Sequence, residues 1–334
     1  MFPGLSALLD KLPNDHGAYN LINLGSPPPK CFEGTRKKLI SDILTWFQNK
    51  DDGCPQFFFL NSIAGIGKST VASTVCLLVD ESGELGASHF FSRLNGRTNP
   101  ANLFTSFAFQ LAKHDRLMKR QIADALNEDP EVGLQAIKDQ LLKLIVEPLG
   151  RLVPKPSRLL IVIDALDECT EAGATELLSH ILSQLTVIPF VKVLITGRPE
   201  EHITSTFRQR QPHQAIVMHD IEQHIMEKDI EIFLRARFKQ LQLQFQGRSI
   251  VWTWTEEQLK TLIKRGGKLF VYIVTVCKYI GDLDLAKPEE QMEIVLSAQT
   301  FPNSPSPYAD LDALYLQLLH AIIPRLLQTA IVVL

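Results

Sequence analysis

Several broad classes of protein are excluded by what this sequence has little of. Its cysteines number five in 334 residues (Cys31, Cys54, Cys76, Cys169 and Cys277), an odd, scattered set with no C-x-x-C pair. That is neither a disulfide framework nor a zinc or thioredoxin spacing, and it reads as the reduced usage of a cytoplasmic protein. Positive charge is not in excess, since 34 Lys and Arg stand against 37 Asp and Glu for a formal net charge of −3. Nucleic acid and anionic membrane surfaces need clustered Lys and Arg, so neither is an expected partner. A long apolar run is missing too. The best candidate, Tyr315 to Leu334, carries Gln317, His320, Pro324, Arg325 and Gln328, which suits a bundle helix broken at Pro324 better than a membrane span. Met1 to Pro13 has no basic start or long apolar core and is not a secretory signal. There is no repeat of solenoid period and no G-x-S-x-G elbow, and His213, His219 and His224 lack zinc spacing.

What the sequence does contain begins at Phe57-Phe58-Phe59-Leu60-Asn61, an apolar run too short for a helix. It meets the small-residue loop Ser62-Ile63-Ala64-Gly65-Ile66-Gly67-Lys68-Ser69-Thr70, and the apolar helical stretch Val71 to Val79 follows. Strand, phosphate loop and helix is the reading. Gly65 and Gly67 would let backbone N–H groups turn inward around a phosphate, and the following helix adds its positive dipole end. Lys68 would reach the outer phosphates, and Ser69 would offer its hydroxyl to a magnesium ion. The strict pattern has glycine where this chain has Ser62, a small and turn-tolerant substitute. Alone, the loop is also compatible with an ordinary strand-to-helix turn.

A second anchor lies a hundred residues on. Leu159 to Ile163 is continuously apolar, as a strand buried on both faces should be, and it delivers Asp164-Ala165-Leu166-Asp167-Glu168 at its carboxyl end. Carboxylates on a strand tip suit magnesium binding and the polarisation of an attacking water. Asp164 is assigned to the metal, Glu168 to water activation and Asp167 to a second acidic contact; the alternative is a solvated loop that begins with Asp. A third strand, Val191 to Ile195, ends in Thr196-Gly197-Arg198-Pro199, where Arg198 would stabilise a terminal phosphate or else be a surface arginine in a Gly-Pro turn.

The remaining elements fall around these. Residues 1–30 hold one amphipathic turn, Leu5 to Leu12, and a Gly-Ser-Pro-Pro-Pro linker. A helix is expected from Thr35 as N-cap, a second strand over Ala87 to Ser92, helices over Pro100 to Leu149 with a break near Asp129-Pro130, and a last strand over Ala215 to Met218. From Ile225 onward the pattern is wholly helical, with a linker over Pro302 to Pro307. The expected fold is α/β, a P-loop NTPase with a parallel five-stranded sheet flanked by helices and followed by an all-helical subdomain. Its expected division is a segment over 1–30, a nucleotide-binding domain over 31–220 and a helical domain over 221–334.

With these motifs in order, the chain resembles a NACHT domain of the signal-transducing (STAND, NLR-like) branch of P-loop ATPases. More narrowly it is similar to fungal NACHT proteins with a nephrocystin-like N-terminal domain. Supporting residues are Cys31-Phe32-Glu33-Gly34-Thr35-Arg36, Phe90-Phe91-Ser92-Arg93 and Gly266-Gly267-Lys268-Leu269-Phe270. The resemblance covers roughly residues 16–320 and implies an ATP or GTP switch, held closed by ADP or GDP and self-associating through the nucleotide domain once exchanged. It implies a signalling role in nonself recognition or programmed cell death, with protein partners unspecified. By position, Gly67, Lys68, Ser69 and Thr70 would bind phosphates and magnesium, Asp164, Asp167 and Glu168 would form the acidic motif, Arg198 would be the first sensor, and Arg36 would lie near the base. The family's winged helix would begin near Leu334, so its closing lid is expected to be incomplete and diphosphate to exchange readily. A competing reading is an interaction scaffold that keeps the fold and perhaps a nucleotide but does no chemistry.

Overall fold

Five short strands carry the apolar runs and pair in parallel in the order β2-β3-β4-β1-β5. They are β1 (Phe57–Asn61), β2 (Leu85–Phe90), β3 (Leu159–Asp164), β4 (Val191–Gly197) and β5 (Gln214–Val217). The structure is a computed structural model that describes residues 9, 12–13, 17–20, 29–51, 53–209, 214–217, 223–298 and 306–320. Every residue of β1 to β4 is buried, as parallel strands covered on both faces must be. The side chains divide with a period of two. Phe57, Phe59, Ile161, Ile163, Val193 and Ile195 enter one large core, while Phe58, on the opposite face, meets Trp46 with ring centroids 5.2 Å apart.

Trp46 belongs to α1 (Lys37–Gln48), and α2 (Lys68–Glu81) packs on β2, β3 and β4. The core of the other face is filled from α3 (Leu103–His114), α4 (Arg116–Glu128) and α5, in which Ile137–Leu141 continues through a π turn, Leu142–Val146, into Glu147–Gly150. Helices α6 (Glu171–Gln184) and α7 (Glu201–Gln209) complete it, with Phe207 stacked on Phe59 at 4.3 Å. Between α3 and α4 the chain breaks at Asp115, whose side chain caps α4 by accepting from the amides of Leu117 and Met118.

One charged residue interrupts the apolar β4. Lys192 is 7% exposed, yet its ammonium donates to the carbonyls of Trp46 at 2.6 Å and Asn49 at 2.8 Å. Those carbonyls lie in the last turn and at the C-cap of α1, where the helix dipole also favours a cation.

The chain divides into two compact units. The first comprises the described parts of Met1–Cys31, Arg36–Ala64 and Lys68–Met218, and the second those of Phe32–Thr35, Gly65–Gly67 and His219–Leu334. The second unit contains α8 (Gln223–Gln246), α9 (Glu256–Gly266), α10 (Phe270–Ile280) and α11 (Pro288–Ser297), and residues 309–320 are helical as well. Ile230, Leu234 and Phe238 of α8 are buried at the spacing of one helical face. Trp252 packs against Phe238 and Phe245 at 5.2 and 5.9 Å, a packing role as its position before a helix suggests. Thr255 and Gln258 form a reciprocal capping box at the start of α9.

Some sequence expectations shift. Helix α1 starts at Lys37, and its N-cap is Arg36 at φ 57°. The expected cap Thr35 instead donates its hydroxyl to the carbonyl of Phe32 at 2.7 Å, closing a turn of its own. Strand β2 runs two residues earlier at each end than expected, because Phe91 and Ser92 already leave the ladder. Residues 210–213, 218–222, 299–305 and 321–334 lie outside the described set. With them go His213, Met218, His219, most of the expected Pro302 to Pro307 linker and the helix break at Pro324.

Candidate functional site

Strand β4 lies between β1 and β3, in parallel with both. The three carboxyl ends therefore open on one edge of the sheet, and each carries one of the sequence motifs.

After β1, Gly65 and Gly67 adopt φ 80° and 104°, a region that side-chain-bearing residues rarely enter, so the backbone itself requires glycine here. Ser62 is 1% exposed. Its hydroxyl and the side-chain oxygen of neighbouring Asn61 are buried with no hydrogen-bond partner in the protein. Buried polar atoms of this kind call for a ligand or an ordered water. Lys68, the first residue of α2, donates its ammonium to the loop carbonyls of Ser62 at 2.7 Å and Ile63 at 3.0 Å. Burial pushes its pKa below the ordinary lysine value, and the carboxylates of Asp167 and Asp164 pull it back. Ser69 and Thr70 follow in the first turn of α2, where the Thr70 carbonyl accepts from Thr74 at 2.7 Å.

After β3, Ala165 turns the chain at φ 56°, and Leu166–Glu168 form a single 3₁₀ turn. A left-handed alanine is strained, and such strain clusters at functional sites. Asp164 is 2% exposed. Burial pushes its carboxyl up from 3.8 to about 6, although hydrogen bonds from the hydroxyls of Thr196 and Ser69 and the charge of Lys68 hold it down. Thr196 belongs to β4: its hydroxyl donates to Asp164 Oδ1 at 2.5 Å and accepts the Ala165 amide at 3.0 Å. The Asp164 carboxylate is thus oriented from the neighbouring strand.

After β4, the amide of Arg198 donates to Asp167 Oδ1 at 3.0 Å, and its guanidinium Nε lies 3.0 Å from Asp167 Oδ2. Asp167 is nearly buried while Arg198 is half exposed, so the carboxylate is the fixed partner and the arginine can leave it cheaply. Glu168 is half-buried and accepts the backbone N–H of Arg93 at 2.8 Å.

The strand tips thus gather Ser62, Lys68, Ser69, Asp164, Asp167, Glu168 and Arg198. Arg36 is buried at the N-cap of α1 and belongs to none of these tips. Sequence reasoning missed the roles of Thr196 and of the Arg93 amide. A threonine ending an apolar strand is a faint signal for the first, and a backbone donor leaves none. The residues fit a phosphate-bound magnesium, because buried unpartnered oxygens line the loop and the Ser69 and Asp164 side chains meet. Among the described residues no three His, Cys, Asp or Glu side chains cluster as a metal cage. Nor is any helix among them long and apolar enough to cross a membrane.

Taken together, the parallel sheet with its glycine loop, the acidic strand tip and the helices that follow define the fold of a P-loop, Walker-type ATPase. Residues 34–198 match the nephrocystin 3, N-terminal family. Among solved structures the chain is similar to a Walker-type ATPase of Pyrococcus abyssi, with a TM-score of 0.50 and 12% identity over 87% of this chain and 91% of that one. It is also similar to PCH-2 of C. elegans, with a TM-score of 0.38 and 13% identity over 86% of this chain and 68% of that one. At such identity the likeness to the archaeal protein is one of fold. No curated protein matches the sequence.

Proposed function

We propose that this chain binds ATP or GTP with magnesium and hydrolyses it slowly, as a signalling switch of the NACHT type. The observation that carries the reading is the convergence of three adjacent strand tips: a half-buried lysine in a glycine loop, a buried aspartate held by two hydroxyls, and an arginine paired with a second aspartate. Lys68 binds the outer phosphates in place of the loop carbonyls it now contacts. Ser69 and Asp164 would hold magnesium, which supplies positive charge against the phosphates. Glu168 accepts a proton from the attacking water, and Arg198 exchanges Asp167 for the terminal phosphate. Gly65, Gly67 and Ser62 shape the loop, Thr70 binds phosphate beside Ser69 in the first turn of α2, and Arg36 is assigned to the base. The signal-transducing class, the slow rate, the role in nonself recognition or cell death and self-association through this domain are what the resemblance to NACHT proteins implies; the family matched over residues 34–198 supports the nucleotide-binding part of the reading.

The test is calorimetry of nucleotide binding beside steady-state hydrolysis. Lys68→Ala should weaken binding at least ~10-fold, the equivalent of one charge-assisted hydrogen bond. Glu168→Gln should preserve affinity and lower the rate by about 10²-fold or more. Unchanged affinity in the first variant removes the phosphate-loop assignment, and an unchanged rate in the second favours the scaffold reading.

A further inference from the structure

Glu168 is aimed from outside its own turn. Immediately after β2, Ser92 and Arg97 exchange backbone hydrogen bonds, each 2.9 Å long, and close a short antiparallel hairpin. Gly96 at φ 69° makes the turn, and Arg97 Nε ties the root of the hairpin to the carbonyl of Phe90 at 3.0 Å. Three further hydrogen bonds join this segment to the acidic turn after β3. The Arg93 amide donates to Glu168 Oε2 at 2.8 Å, Arg93 Nη2 donates to the carbonyl of Asp167 at 2.7 Å, and the Thr170 amide donates to the carbonyl of Thr98 at 3.2 Å.

From this geometry we infer that Arg93 is a positioning residue for Glu168. A half-buried glutamate at the end of a 3₁₀ turn has several staggered rotamers open to it. The Arg93 amide selects one by binding a single carboxylate oxygen, and the second oxygen keeps its lone pairs for the attacking water. The guanidinium contributes by fixing the amide: anchored on the Asp167 carbonyl, it locks the hairpin to the same turn that carries the base. The hairpin therefore sets how the base faces the water, and any change in its position is transmitted to hydrolysis without passing through nucleotide affinity. This inference rests on the proposed role of Glu168 as the base.

Two measurements test it. In hydrogen–deuterium exchange resolved to single amides, the exposed Arg93 amide should exchange about 10-fold faster in Glu168→Ala than in the parent, because that bond is its protection. In steady-state kinetics, Arg93→Pro, which removes the donor, should lower kcat about 10-fold, and Arg93→Ala a few-fold, with nucleotide affinity unchanged. Arg93→Lys should stay near the parent. In a Glu168→Gln background neither variant should cost anything further, since the two groups act as one. Should Arg93→Pro fail to fold, Arg93→Ala and the exchange measurement decide the matter. An Arg93 amide indifferent to Glu168→Ala, or losses additive with Glu168→Gln, would overturn the inference. If Glu168→Gln is slow while the Arg93 variants turn over normally, this inference alone fails. If Glu168→Gln hydrolyses at the parent rate, the base assignment itself has failed and takes this inference with it.

Discussion

At the scale of single residues, the site is built from groups that are uncomfortable where they stand. Burial raises the Asp164 carboxyl from 3.8 to about 6, so its folded-state value lies above its unfolded one. The sign follows: the ionised aspartate is penalised in the folded protein, the penalty is complete above the folded pKa, and it vanishes below the unfolded one. In metal-free, nucleotide-free protein, Asp164→Asn should be more stable than the parent by up to about 3 kcal/mol at about pH 8 and no more stable at about pH 3. Urea unfolding at the two pH values, in the presence of a chelator, measures this. A gain independent of pH would mean that the aspartate's ionisation is not its source. Arg198 is the opposite case, half exposed and lightly held by Asp167. Arg198→Ala should weaken triphosphate binding more than diphosphate binding, because only the triphosphate carries the group the arginine is released to meet. Equal losses in a competition assay would show that Arg198 acts through Asp167 alone.

At the scale of elements, the strands owe their burial to helices on both faces, and Lys192 fastens β4 to one of them. Its ammonium satisfies two carbonyls at the end of α1. Lys192→Met keeps the length of the side chain and removes the charge-assisted bonds. It should cost about 2 to 3 kcal/mol, since two charge-assisted hydrogen bonds to the end of α1 are lost. Chemical denaturation reads this directly, and a neutral result would mean that water replaces the ammonium there. The glycines of the loop are legible at this scale from sequence alone, because the φ values of Gly65 and Gly67 exclude other residues. The start of α1 is not. Thr35 has the chemistry of an N-cap, but its hydroxyl closes a turn onto Phe32, and local competition between a cap and a turn is decided by neighbours that the sequence does not weigh.

At the scale of the whole molecule, two compact units share one chain, and such chains commonly unfold in more than one step. Thermal unfolding should show two transitions. Saturating nucleotide, at about 100 times its Kd, should stabilise the unit that contains the sheet by about 2.7 kcal/mol through mass action. In Lys68→Ala, with affinity at least ~10-fold lower, the gain at the same nucleotide concentration should fall to about 1.4 kcal/mol or less. A nucleotide-dependent shift of undiminished size in this variant would place the ligand somewhere other than the loop.

The sequence by itself determined whatever is contiguous: the strand, glycine loop and helix at 57–79, the acidic run after β3, the arginine after β4 and the parallel sheet that their alternation with helices requires. Apolar periodicity and glycine stereochemistry act over a few residues, so these features can be read in a line. Only the tertiary structure decided how the site's parts hold one another. Thr196 reaches Asp164 across 32 residues of chain, the Arg93 amide reaches Glu168 across 75, and Lys192 reaches Trp46 across 146. Each of these is a hydrogen bond whose partner is a common hydroxyl, an amide or a carbonyl. Groups that almost every residue can supply leave no pattern in a sequence, and strand register and helix packing alone select which of them meet.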